Sequence, residues 1–238
     1  MNKIQHHYDE MADIYDRQYD DGRGRAYYSH LCDYLLSAVP PGGEILDLGC
    51  GTGLFMRRYL GTGGTASGLD ISRGMIIRAR SRCPGSVVTV GDAERLPFKD
   101  ETFDAITSVL AFSYLRDPES MLRESFRVLR PGGTIAIITL GKNVLTALVP
   151  FIYRVGEVLK IRRVGMAYFG EHYYDEEEIG DLFHRIGFID VQVQRRSVAH
   201  VNTGDLVFDL TKKVEPIVEH RLPKLAYNIC VGGKKPER

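Results

Sequence analysis

The run Ile45-Leu46-Asp47-Leu48-Gly49-Cys50-Gly51-Thr52-Gly53 constrains this chain most: an apolar stretch ends in three glycines at alternate positions and leads into the helical pattern LFMRRYL, residues 54–60. Glycines so spaced let the backbone bend tightly and approach a ligand, while the helix that follows offers free amides at its amino terminus. A strand that passes through such a turn into a helix is half of a β-α unit, and parallel strands require crossovers of that kind.

The rest of the chain continues the alternation. Apolar runs EILDL, TASGL, SVVTV, FDAITSV and TIAIITL are separated by amphipathic stretches such as SRGMIIRARSR and PESMLRESFRVL. Ser72 stands where the first of these needs an amino-terminal cap, and Asp117-Pro118 opens the second. Pro131-Gly132-Gly133 ends that helix and turns into the next strand. The fold class is therefore α/β. Two helical segments, roughly 5–19 and 25–38, precede the first strand. After Leu140 a helix is expected over 143–161, with Leu145, Leu148, Val149, Ile152, Val155 and Leu159 at helical spacing. A helix over 175–186, the strand FIDVQVQ, a helix near 204–220 and a last strand AYNICVG follow. The 238 residues read as one domain, with residues 1–40 and the insertion 141–174 forming a lid over a ligand cleft.

Composition narrows the partners. With 44% hydrophobic residues the chain is not a disordered one, and its 31 basic residues balance 31 acidic ones, which removes the summed basic field used for non-specific nucleic-acid or anionic-membrane capture. No nucleic-acid partner is expected. Cys32, Cys50, Cys83 and Cys230 form no C-x-x-C pair, and the histidines have no ligand spacing, so no metal is assigned. The amino terminus has no signal-peptide core, and the most apolar window, 144–159, is interrupted by Pro150, Arg154 and Glu157. A cytoplasmic protein without a transmembrane segment is the expectation. The sequence leaves the oligomeric state open, a homodimer included.

The glycine turn has a bland reading, an ordinary strand-to-helix turn, and a nucleotide-binding one. Two details oppose a nicotinamide or flavin site: Leu54 occupies the third fingerprint position, and Asp47 stands two residues before the first glycine. A carboxylate there repels a pyrophosphate and attracts an ammonium group.

Four motifs in order make the chain resemble the class I S-adenosylmethionine-dependent methyltransferases, particularly the small-molecule branch of ubiquinone and menaquinone C-methyltransferases. They are ILDLGCGTG (45–53), SGLDIS (67–72), GDAERLPFKDETFDAI (91–106) and RVLRPGGTIAI (127–137). The resemblance implies a Rossmann-like seven-stranded sheet in the order 3-2-1-4-5-7-6, its last strand antiparallel, with helices on both faces. It implies S-adenosylmethionine as cofactor and S-adenosylhomocysteine as product. Asp47 would hold the methionyl ammonium, Asp70 the ribose hydroxyls, and Asp92 with the Ala93 amide the adenine edge, with Gly49, Cys50, Gly51, Gly53, Ile71 and Ser108 also binding the cofactor. Cys50 reads as a small buried residue rather than a nucleophile. HYDEMADIYDRQYD (7–20) is similar to the amino-terminal signature Y-D-x-x-A-x-x-Y-D, a helix that folds over the cofactor, which points to Tyr15 contacting the cofactor or the methyl site with Tyr8 and Tyr19 nearby; tyrosines that simply pack on the domain are the alternative. Where many members carry paired histidines after the fourth strand, this chain has Ser113 and Tyr114.

His172, within FGEHYYDEEE, is the candidate general base; capping or packing is its alternative. The function expected is methyl transfer by in-line displacement to a small, lipophilic or aromatic acceptor. The competing readings are methylation of RNA or protein and a non-catalytic cofactor-binding module. The absence of an Asn-Pro-Pro-Tyr tetrapeptide, SVLAFSY standing in its place, argues against methylation of exocyclic base amines.

Overall fold

The computed structural model describes residues 3–20, 22–143, 171–199 and 205–237. Five parallel strands form in the predicted places: β1 (Glu44–Leu48), β2 (Thr65–Asp70), β3 (Val88–Val90), β4 (Phe103–Val109) and β5 (Leu129–Leu140). β6 (Ile189–Arg196) and β7 (Asn228–Lys234) complete a seven-stranded sheet in the order β3-β2-β1-β4-β5-β7-β6, with β7 antiparallel to both neighbours. The expected sheet is the observed one. Order reverses between β1 and β4, and in open α/β sheets a ligand crevice lies beyond the carboxyl ends of the strands at that point.

Strand residues alternate between two cores. Ile45 packs with Leu31, Leu35, Phe55 and Tyr59, whereas its neighbour Leu46 packs with Ile106, Leu122, Phe183 and Phe188. Both faces are thus covered, which is why the central strands are largely apolar rather than alternating. The first core is roofed by α3 (Gly22–Ala38), α4 (Leu54–Leu60) and α5 (Arg73–Arg82); the second by α6 (Pro118–Val128) and α7 (Glu176–Ile186). Ser72 and Asp117 cap α5 and α6 as expected, accepting from the amides of Met75 and Ser120. α8 (Asp205–Arg221) leads through a 3₁₀ turn, Pro223–Leu225, into β7.

The amino-terminal region differs from the single helix expected over 5–19. α1 (Lys3–Met11) ends, residues 12–16 form turns, and α2 (Arg17–Asp20) is one turn long. The break has a tertiary cause, because Asp9 and Asp16 are both drawn onto elements around α5, and a continuous helix over 9–16 gives way to those bonds. The helix expected over 143–161, and with it most of the 141–174 insertion, lies outside the described residues. The two ends of the insertion meet at the carboxyl end of β5: Lys142 donates its amide to Tyr174, and Tyr174 to Leu140, at 2.7 and 3.0 Å. No described helix is long and apolar enough to cross a membrane.

Candidate active site

Backbone geometry builds the first half of the site. Gly49, Gly51 and Gly53 all have positive φ (69°, 52° and 81°), and a Cβ on Gly49 would lie 2.3 Å from that of Ala111. Only glycine lets the turn close so tightly against the loop after β4. The amides of Gly49 and Cys50 both donate to the Leu69 carbonyl, tying the turn to the end of β2.

Asp70, the last residue of β2, is held from both sides. Its Oδ2 accepts from the Gly51 amide and its Oδ1 from the Ser72 amide, each at 2.8 Å. A carboxylate has about four acceptor positions, so two remain for a pair of hydroxyls. Burial raises its pKa, against the pull of those amides. Asp47 is more deeply placed. Thr107 Oγ1 donates to it at 2.8 Å, but desolvation prevails and pushes its pKa up to about 7. A buried carboxylate with a single short hydrogen bond suits a cationic partner.

A cavity of about 320 Å³ opens over these groups. Gly49, Gly51, Asp70, Ile71, Asp92, Ala93 and Ser108 line one end. Asp47 and Cys50 line a smaller recess beside it, shared with Tyr15, Tyr19 and Tyr28. Gly53 reaches neither; it packs the start of α4 against Ala79 of α5 and Cys83 just after it. The Ser108 hydroxyl is engaged with the Leu48 carbonyl at 2.8 Å, so its role is to join β4 to β1. Asp92 accepts from the Glu94 amide at 3.0 Å, and Arg116 stands 3.7 Å from its other oxygen, at the mouth.

The other end is aromatic. Tyr8, Tyr15 and Tyr114 line it with Met11, Phe112 and Leu140. The tyrosine rings form a chain, with centroids 6.2 Å apart for Tyr114–Tyr8 and Tyr8–Tyr15, and 5.6 Å for Tyr15–Tyr19, packed edge to face. The Tyr8 and Tyr114 hydroxyls are hydrogen-bond partners. Burial raises both phenol pKa values, and Glu171 raises them further. These phenols are therefore neutral hydrogen-bonding groups near neutral pH rather than bases.

Tyr15 thus lies at the cavity, and His172 does not. Its ring is half exposed, hydrogen-bonded to Glu178 at 2.7 Å and set edge-on against Tyr174, while its amide donates to the Ser113 carbonyl. The imidazole packs where a base facing the cleft was expected. His7 and Arg116, which line the cavity, escaped the sequence reading, as did the hydrogen bond from Thr107 to Asp47. Tyr114 was noticed only as a replacement for histidine. Away from the cavity, His30, Glu215 and Glu219 converge, but the carboxylates already bond the amides of Val198, Ala199 and Ser197 and the Lys212 ammonium. That cluster fastens α3 to α8. All four cysteines are free and buried.

The fold is that of a Rossmann-like domain with an acid-lined cavity beyond the carboxyl ends of its parallel strands. Residues 46–137 match the methyltransferase domain family. The ubiquinone/menaquinone biosynthesis C-methyltransferase of Desulfotalea psychrophila is 32% identical over 173 residues, covering 66% of this chain and 70% of that protein. A malonyl-[acyl-carrier protein] O-methyltransferase of Methylococcus capsulatus is 42% identical over 114 residues, covering 46% and 42%. A crystal structure of an S-adenosylmethionine-dependent methyltransferase from Thermotoga maritima, described as a possible histamine N-methyltransferase, superposes with a TM-score of 0.74 at 24% identity, covering 98% of this chain and 99% of that one. The chain belongs to the class I S-adenosylmethionine-dependent methyltransferases, and its cofactor is S-adenosylmethionine.

Proposed function

We propose that the protein methylates a small, lipophilic or aromatic acceptor on carbon or oxygen, by in-line displacement. One observation carries the reading: the same cavity runs from the acids at the strand ends to a wall of tyrosine and aliphatic side chains. Relatives named for C-methylation and O-methylation support carbon or oxygen as the methylated atom.

Bound S-adenosylmethionine supplies a methyl group on a sulfonium, whose loss leaves a neutral thioether. The chain's own work is placement. Asp47 would hold the ammonium group, Asp70 the two ribose hydroxyls, and Asp92 with the Ala93 amide the adenine edge. The methionyl end would rest on the turn of Gly49, Cys50 and Gly51, with Ile71 and Ser108 flanking the nucleoside and Gly53 packing the helix behind the turn. Tyr15 would stand beside the methyl site, and Tyr8 and Tyr114 beside the acceptor, in a compartment that excludes water and keeps the reactants aligned. Residues 1–40 and 141–174 act in this reading as the lid.

The protein would work in the cytoplasm without a nucleic-acid partner. The apolar stripe Leu206, Leu210, Val214 and Ile217 on α8, exposed by 38 to 84%, offers a surface for a homodimer. Incubation with methyl-labelled S-adenosylmethionine and a cell metabolite extract tests the reading. Label in an organic-soluble small molecule is expected; label confined to RNA or protein would contradict it.

A further inference from the structure

The signature Tyr8-Asp9-x-x-Ala12-x-x-Tyr15-Asp16 repeats a tyrosine-aspartate pair seven residues apart, and the cavity uses only the tyrosines. The aspartates turn the other way, onto the protein. Asp9 Oδ1 accepts from the Ser72 hydroxyl at 2.6 Å and the Gly74 amide at 2.9 Å. Asp16 accepts from the Thr52 hydroxyl at 2.6 Å and from Arg82 at 2.5 Å, while Arg82 also donates to the Thr52 carbonyl at 2.6 Å. Between them Ala12 is 5% exposed and packs so closely on Gly74 that a Cβ there would stand 3.0 Å from its own. A larger side chain at either position would lift the segment off α5.

The landing points are not arbitrary. Ser72, which Asp9 holds by its hydroxyl, gives its amide to one oxygen of Asp70; Gly51, next to the Thr52 that Asp16 holds, gives its amide to the other. Each fastening of the segment therefore ends on a residue that orients Asp70, or on its neighbour. The Asp9 carboxyl, which burial would raise, is instead held low by the Ser72 hydroxyl and the amides of Gly74 and Arg73. By contrast, the intervening pair Asp13–Arg78 lies in water, its side chains 79% and 47% exposed, where an ion pair contributes little.

We propose that Asp9 and Asp16 are positioning residues: they latch the segment 8–16 across the cofactor end, so that Tyr8 and Tyr15 face the cavity only while the residues that orient Asp70 are in place. The inference rests on the reading of that end as the S-adenosylmethionine site. A ligand covered by this segment can leave only when the latch opens, so the latch sets the dissociation rate more than the association rate.

The chain has 13 tyrosines and no tryptophan, so stopped-flow tyrosine fluorescence can follow S-adenosylhomocysteine entering and leaving the full-length protein. Asp16→Asn and Arg82→Met should each raise the dissociation rate about tenfold, with association changed by less than about twofold. The double variant should be no faster than the faster single one, since both break one latch. Asp9→Asn should act in the same direction and Asp13→Asn should not. Unchanged dissociation rates, effects that multiply in the double variant, or equal changes in both rates would overturn the inference. Hydrogen exchange of amides 8–16 without ligand separates the two ideas. Faster exchange there in Asp16→Asn supports the latch even if S-adenosylhomocysteine fails to bind the parent protein, a failure that would count against the cofactor reading alone; unchanged exchange overturns the latch.

Discussion

At the end of the cavity proposed for the cofactor, the shape comes from backbone and strand-end acids: Gly49 and Gly51 at positive φ, two amides on Asp70, and Asp47 in the recess beside them. At the aromatic end proposed for the acceptor it comes from side chains brought together out of α1, the turns after it and the loop after β4, with Tyr8, Tyr15 and Tyr114 edge to face. The difference teaches how the two halves tolerate change. A strand end fixes an acid to within the precision of the sheet, and a glycine at positive φ admits few alternatives, whereas a phenol wall can be rebuilt from other side chains without moving a strand. One end should therefore be brittle and specific for a single ligand, the other adjustable.

Gly49→Ala should break the brittle end most severely. The new methyl group would meet Ala111 in a left-handed backbone conformation, and calorimetry should find S-adenosylhomocysteine binding weakened by about 100-fold or more, with Tm lowered by about 5–10 °C. Normal binding would mean that the turn does not need its tight approach to the β4 loop.

Asp47 sharpens the same end through pH. Its pKa is pushed up to about 7 in the free protein by burial, and a bound ammonium group favours the ionised form. Affinity for S-adenosylhomocysteine should accordingly fall as pH drops below about 7, by at most about tenfold per unit. Asp70, also raised, adds an effect of the same sign. For the unliganded protein the sign reverses. The folded state keeps a proton that the unfolded chain releases above its ordinary value of 3.8, so this group's contribution to stability declines as pH rises from there to about 7. Asp47→Asn should flatten most of the affinity profile; an unaltered profile would remove Asp47 from the ammonium site.

The smallest effect is expected at His172. His172→Ala should leave turnover within about twofold, because the imidazole contacts Glu178 and Tyr174 outside the cavity. A loss of 100-fold or more would mean that the residue swings inward during the reaction.

These halves were also unequally legible in the sequence. Strand order and the antiparallel β7 could be read from the resemblance that the four motifs carry, and the caps Ser72 and Asp117 from local pattern. Asp70 could be read for the same reason, since an acid that ends a strand has its place fixed by the strand. The break in the helix at Ala12–Asp16 could not, because it arises from bonds to Ser72, Thr52 and Arg82, between 36 and 66 residues away. His172 misled for the opposite reason. A histidine beside an acidic helix start in a loop resembles a base poised at a cleft, and only its tertiary partner, Glu178, tells it from one. Tyr114 gained its meaning from Tyr8, on a helix more than 100 residues earlier.

Paired calorimetric titrations of S-adenosylhomocysteine into Asp70→Ala and Tyr114→Phe test the division of the cavity most directly. Asp70→Ala should weaken binding by about 1.5–3 kcal/mol, roughly 10- to 150-fold, while Tyr114→Phe, which keeps the ring and loses only the hydroxyl, should change it by less than about twofold. Equal losses in the two variants, or none in Asp70→Ala, would contradict a cavity whose cofactor end is held by Asp70 and whose far end is reserved for the acceptor.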